Sequence, residues 1–163
     1  MFRHPRSIRQ LKPRITGAVT IEFALLVMMG LVPMLLLTYA GVMIMAAQQT
    51  LSLAAAEGAR ATLVYGTDSE RRIAACQAAT RSMRWLLDFS GASVNCSSAG
   101  SPPVTVSTRF ACSGNPTAQC MQVTTLFDHN AHPFIPGIGS LYGWVLERPL
   151  SSTAISQIES EAP

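Results

Sequence analysis

The chain has 163 residues, room for one modest domain and a membrane segment but not for two ordinary domains. Only 13% of its residues are charged and 48% are apolar, with a mean hydropathy of +0.28, which leans away from a purely soluble protein. The formal charge of +3 comes from the first seventeen positions, where Arg3, Arg6, Arg9, Lys12 and Arg14 stand with no acid; the remainder holds seven bases and nine acids, a net of −2. A nucleic-acid partner therefore loses its electrostatic basis.

The basic block reads as a topogenic flank, because Arg and Lys collect at the cytoplasmic ends of membrane helices. Behind it, Phe23–Ala47 is 25 residues without a charge. As a helix it would span about 37 Å, enough for the hydrocarbon core with some tilt. A secretory signal peptide would carry a shorter apolar core and a polar break, so the run predicts a single span with the N-terminus in the cytoplasm. Pro33 lies inside this helix, where it would kink it or simply be tolerated as in other membrane helices.

Past Ala47 the Ala-rich, proline-free segment QQTLSLAAAEGARATLVYG predicts continuation as a water-facing stalk, stopped at Gly66. Thr67 to Glu70 has the pattern of a capping box and predicts a second helix reaching about Phe89, with Ile73, Cys76, Thr80, Met83 and Leu87 as its buried stripe. Gly, Ser, Pro and Asn then punctuate three short segments of strand character, ASVNCS, PVTVSTRFAC and QCMQVTTLF. The last two are expected to pair as a hairpin around SGNPTAQ, and PLSSTAISQIE to supply a final strand. The fold class is α+β: a long N-terminal helix, a second helix and a small antiparallel sheet.

All four cysteines follow the membrane segment, an even count that suits two disulfides in an exported domain. The hairpin predicts Cys112 with Cys120, leaving Cys76 with Cys96 to tie helix to sheet. No CxxC pair is present. Asp128, His129 and His132 form the one cluster with metal or acid–base character, yet no HExxH, Gly-rich phosphate loop or GxSxG accompanies it. Neither an enzyme nor a cofactor is indicated. The apolar residues Trp85, Phe134, Ile135, Ile138, Leu141, Tyr142 and Trp144 either fold back as core or present a partner surface.

One acid breaks the pattern of the apolar run. Glu22 stands at its lip, and no charged residue follows until Glu57. Cleavage between Gly17 and Ala18 would place the new terminal amine one helical turn from Glu22. That amine is disfavoured at a helix N-terminus by the macrodipole, and a carboxylate nearby offsets it.

A basic leader, then Gly17, AVTI, Glu22, the aromatic Phe23 and an apolar helix resemble the processing motif of type IV pilin-related proteins, in the form found in tight-adherence (Flp-type) pilus systems. LSLAAAEGARATLVYG is similar to the Ala-rich AAxEGAR segment of TadE-like pseudopilins, and MQVTTLFDHNAHPFIPGIG with the SSTAISQIE ending is similar to that family's strand, Pro-containing loop and terminal strand. The resemblance covers about Arg14 to Glu159, most specifically the first 65 residues. It implies a leader of residues 1–17 removed by a prepilin peptidase, a transmembrane helix over 18–47 and a periplasmic domain over 48–163. Ala18 would be the mature terminus and Glu22 the fifth-position acid, with Phe23 beside it. The implied setting is the bacterial inner membrane, with other pilins and the pilus assembly platform as partners and surface adhesion and biofilm formation as the outcome. An unprocessed, membrane-anchored periplasmic binding protein is the alternative.

Overall fold

The structure, a computed structural model, describes residues 16–97, 101–136 and 148–158. The chain divides into two compact units, Met1–Tyr39 and Ala40–Pro163.

In the first unit α1 (Thr16–Leu26) leads into a π-helical turn, Val27–Leu31, which passes to α2 (Val32–Ala61). The widened turn is marked by Val32 N–H, which donates to Val27 O five residues back. Its cause lies two residues on: Pro33 has no N–H, and its ring would strike the carbonyl of Met29 in a regular α-helix. Side chains from Val19 to Tyr39 are exposed, Val27 excepted at half-buried. A helix apolar on every side suits lipid rather than the rim of a soluble core. The helix Val19–Ala61 is long and apolar enough to cross a membrane, with a mean hydropathy of 2.2 over an 18-residue window of which none is buried.

The second unit packs helices on one face of a sheet. Along its part of α2, Ala47, Leu51, Ala54, Ala55, Gly58 and Ala59 are buried. Three-residue hydrogen bonds tighten the end of α2, from Thr62 N to Ala59 O and Leu63 N to Arg60 O, so the helix stops before the predicted Gly66. Buried Arg71 explains how that end is satisfied: its Nε donates to Gly66 O at 3.0 Å and its NH1 to Thr62 O at 3.4 Å. Thr67 and Glu70 form the expected capping box at the start of α3 (Asp68–Ser82).

The predicted single helix to Phe89 is interrupted at Met83, after which α4 (Arg84–Ser90) runs on to Gly91 in the left-handed conformation. No Pro or Gly marks that break in the sequence. The buried stripe also differs: Ala75, Cys76, Ala79, Met83, Leu86 and Leu87 are buried, while Ile73 and Thr80 are half-buried. Small residues take the inner positions because α2 comes close there.

The sheet is built around β3 (Asn115–Phe127), with β1 (Val104–Val106) and β2 (Phe110–Cys112) along one edge and β4 (Leu150–Ile158) along the other, all antiparallel. The sequence reading joined β1 and β2 into one strand. They separate at Ser107, whose N–H donates to Gln122 O while its Oγ accepts from Gln122 N, each at 2.9 Å. A side chain thus stands in the ladder where a carbonyl would. The hairpin turn is shorter than expected, Ser113-Gly114 with Gly114 at φ +86°, so Asn115 to Ala118 belong to β3. ASVNCS forms no strand. Val104, Val106, Met121, Val123 and Phe127 line the inner face and join the core with the helices.

Candidate functional site

Glu22 and Phe23 lie on α1, as do Gly17 and Ala18. Both Glu22 and Phe23 are exposed, Phe23 at 68%. Ala18 and Glu22 are four residues apart on one helix, about one turn. A carboxylate in this position is open to a neighbour that could supply a cation, and Val19, Ile21, Leu25 and Leu26 around it are exposed as well. The chemistry available is charge pairing between helices in a medium of low polarity, where a lone ion is costly and a paired one much less so.

The EGAR segment gains a physical reading from α2. Glu57 and Arg60 face outward and pair at 2.8 Å, whereas Gly58 and Ala59 are buried. A Cβ on Gly58 would stand 2.9 Å from Val123 Cγ1, 3.1 Å from Ala75 O and 3.2 Å from Ala79 Cβ. Gly58 is therefore where α2, α3 and β3 meet, and only the absence of a side chain permits the approach. Two further contacts hold α2 and the turn after it on the sheet: Thr125 Oγ1 donates to Leu51 O at 2.9 Å, and Thr62 Oγ1, just past the helix, meets Ser156 Oγ.

Cys76 with Cys96 and Cys112 with Cys120 are the pairs at disulfide distance, with Cα separations of 5.6 and 5.1 Å. The first ties α3 to the irregular segment after α4, and the second closes the β2–β3 hairpin. No free cysteine remains.

The histidines are kept apart in character. His129 is 4% exposed, its Nδ1 finds no partner among the described residues, and its ring lies 5.9 Å from that of Phe134. His132 is exposed, with its N–H donating to Asp128 O at 3.1 Å. Asp128 Oδ1 is engaged by Asn130 N at 2.9 Å and Ala131 N at 3.1 Å, which holds the loop in an Asx turn. Among the described residues no group of three His, Cys, Asp or Glu is arranged to hold a metal.

Of the apolar loop, Phe134 folds back as core: its ring lies 5.0 Å from Phe89, 5.5 Å from Phe127 and 6.4 Å from Trp85. Trp85 Nε1 also donates to Thr50 Oγ1 at 3.0 Å, which joins α4 to α2. Ile135 is half-buried, and Ile138, Leu141, Tyr142 and Trp144 lie outside the described residues. Beside this cluster is a largely apolar pocket of about 130 Å³ whose lining includes Met83, Leu86, Leu87, Pro103, Phe127 and His132.

Sequence reasoning missed Arg71, Ser107 and Thr50 as structural residues. Only Arg71 carried a signal, as a base near the end of a helix, where backbone carbonyls wait for donors. Compared with models of known protein families, with curated proteins and with solved structures, the chain has no match.

Proposed function

We propose that the chain is a TadE-like minor pseudopilin that takes part in assembly of a tight-adherence pilus, acting by assembly rather than catalysis. The observation that carries this reading is the single carboxylate, Glu22, exposed on an apolar helix four residues beyond Ala18 and preceded by a basic, acid-free leader. In this reading Arg3 to Arg14 hold the leader in the cytoplasm, a prepilin peptidase cuts after Gly17, and the second unit lies in the periplasm. Glu22 then pairs with the terminal amine of Ala18, its own or a neighbour's, as the helix moves from lipid into a bundle with other pilins. The close seating of α2 on the sheet through Gly58 supports the same reading, since it gives the helix a folded load to carry.

The test is the intact mass and N-terminal sequence of protein isolated from membranes that contain the peptidase. A start at Ala18 is the expected result, whereas a start at Met1 returns the chain to an unprocessed anchored protein. Glu22→Ala is expected to insert into the membrane normally and to lower piliation at least tenfold. Normal piliation in that variant would remove Glu22 from the mechanism.

A further inference from the structure

The two edges of the sheet are built differently. The edge formed by β1 and β2 consists of two three-residue strands, interrupted around Ser107 and bearing the charged Arg109. Short, broken and charged edges resist pairing with another chain. The edge formed by β4 has none of these features. It runs nine residues, LSSTAISQI, in unbroken register from Leu150 opposite Phe127 to Ile158 opposite Gln119. It contains no charge, proline or bulge, and among the described residues no strand lies on its far side. Its outward amides and carbonyls are a template for one more strand.

The sequence of β4 indicates which strand fits. Read in both directions from Ala154, it nearly repeats itself: Thr153 answers Ile155, Ser152 answers Ser156, Ser151 answers Gln157 and Leu150 answers Ile158. We propose that β4 pairs antiparallel with β4 of a second copy of this chain, about a two-fold axis at Ala154. In that register hydroxyl meets hydroxyl at Ser152, and apolar side chains meet at both ends. Even positions face even positions, so Leu150, Ser152, Ala154, Ser156 and Ile158 stay on the core side in both copies and the joined sheet keeps its two faces. The interface is isologous, which closes the assembly at two copies. It is independent of leader cleavage.

The experiment uses the full-length protein in lipid nanodiscs, in which all native cysteines are paired. Directly opposed Cα atoms in an antiparallel pair are about 4.5–5.5 Å apart, within disulfide range. Ala154→Cys is therefore expected to give a covalent dimer on mild oxidation, at least tenfold above Leu53→Cys on the exposed side of α2. Ser151→Cys and Gln157→Cys are each expected to stay at the control level alone and to cross-link when mixed. Control-level yield for both Ala154→Cys and the mixed pair overturns the proposal, and cross-linking of Ser151→Cys alone at the mixed-pair yield overturns the register. Thr153→Lys, at an exposed position, is expected to reduce the dimer at least tenfold by light scattering with an unchanged circular dichroism spectrum. A dimer that persists in that folded variant also overturns it.

Discussion

At the scale of single residues, Gly58 and Glu70 carry the sharpest expectations. Gly58→Ala adds helix propensity worth about 1 kcal/mol but drives a methyl against a β-branched side chain and a backbone carbonyl, which overpacking data place at about 1–3 kcal/mol. Overpacking wins because neither Val123 nor the Ala75 carbonyl can swing aside freely. A net loss of about 1 kcal/mol in urea unfolding is expected. Gly41, where an added Cβ meets nothing, is the control on the same helix. The Glu70 carboxyl is held below its ordinary pKa by the Thr67 backbone N–H and then by the Thr67 hydroxyl, both of which favour the charged form. A depressed folded pKa means stability that is present above the ordinary carboxylate range and lost as the pH falls through the folded value. Wild type and Glu70→Gln are expected to differ at neutral pH and to converge in acid; equal stability at both pH values would show the cap to be idle.

At the scale of elements, what was legible followed local chemistry. The capping box at Thr67, the stop at β3 before Asp128 and the hairpin between Cys112 and Cys120 all rest on residues close in sequence, where spacing alone specifies the hydrogen bonds or the turn. The misreadings have a common origin in contacts from afar. PVTVSTRFAC looks like one strand until Ser107 exchanges hydrogen bonds with Gln122, fifteen residues away. The stripe of α3 shifts to Ala75 and Ala79 because α2 approaches at Gly58, which no periodicity within α3 can reveal. ASVNCS has strand composition, but its place is set by the bond from Cys96 to Cys76 rather than by a ladder. That bond closes a separation of 20 residues, worth about 3 kcal/mol in the chain-entropy account. Cys76→Ala with Cys96→Ala is expected to lose that much in urea unfolding followed by Trp85 fluorescence, and a change below about 1 kcal/mol would assign the segment's order to packing instead.

At the scale of the whole molecule, two open surfaces stand out among the described residues: the apolar helix with Glu22 and the outer edge of β4. The basic block, the apolar span and the lone acid are plain in the sequence, because each is a matter of composition and spacing. The edge was not, since an edge exists only once the order of strands is known. The second unit also joins segments far apart in the chain. Thr125 reaches Leu51 across 74 positions, and Ser152 reaches Ser52 across 100. Ribosomes add about 5–20 residues per second, so on the order of 4–20 s separate the synthesis of α2 from that of the strands that cover it. Throughout that interval Leu51, Ala54 and Gly58 have no sheet to rest on, and the newborn helix is open to any holdase that meets it.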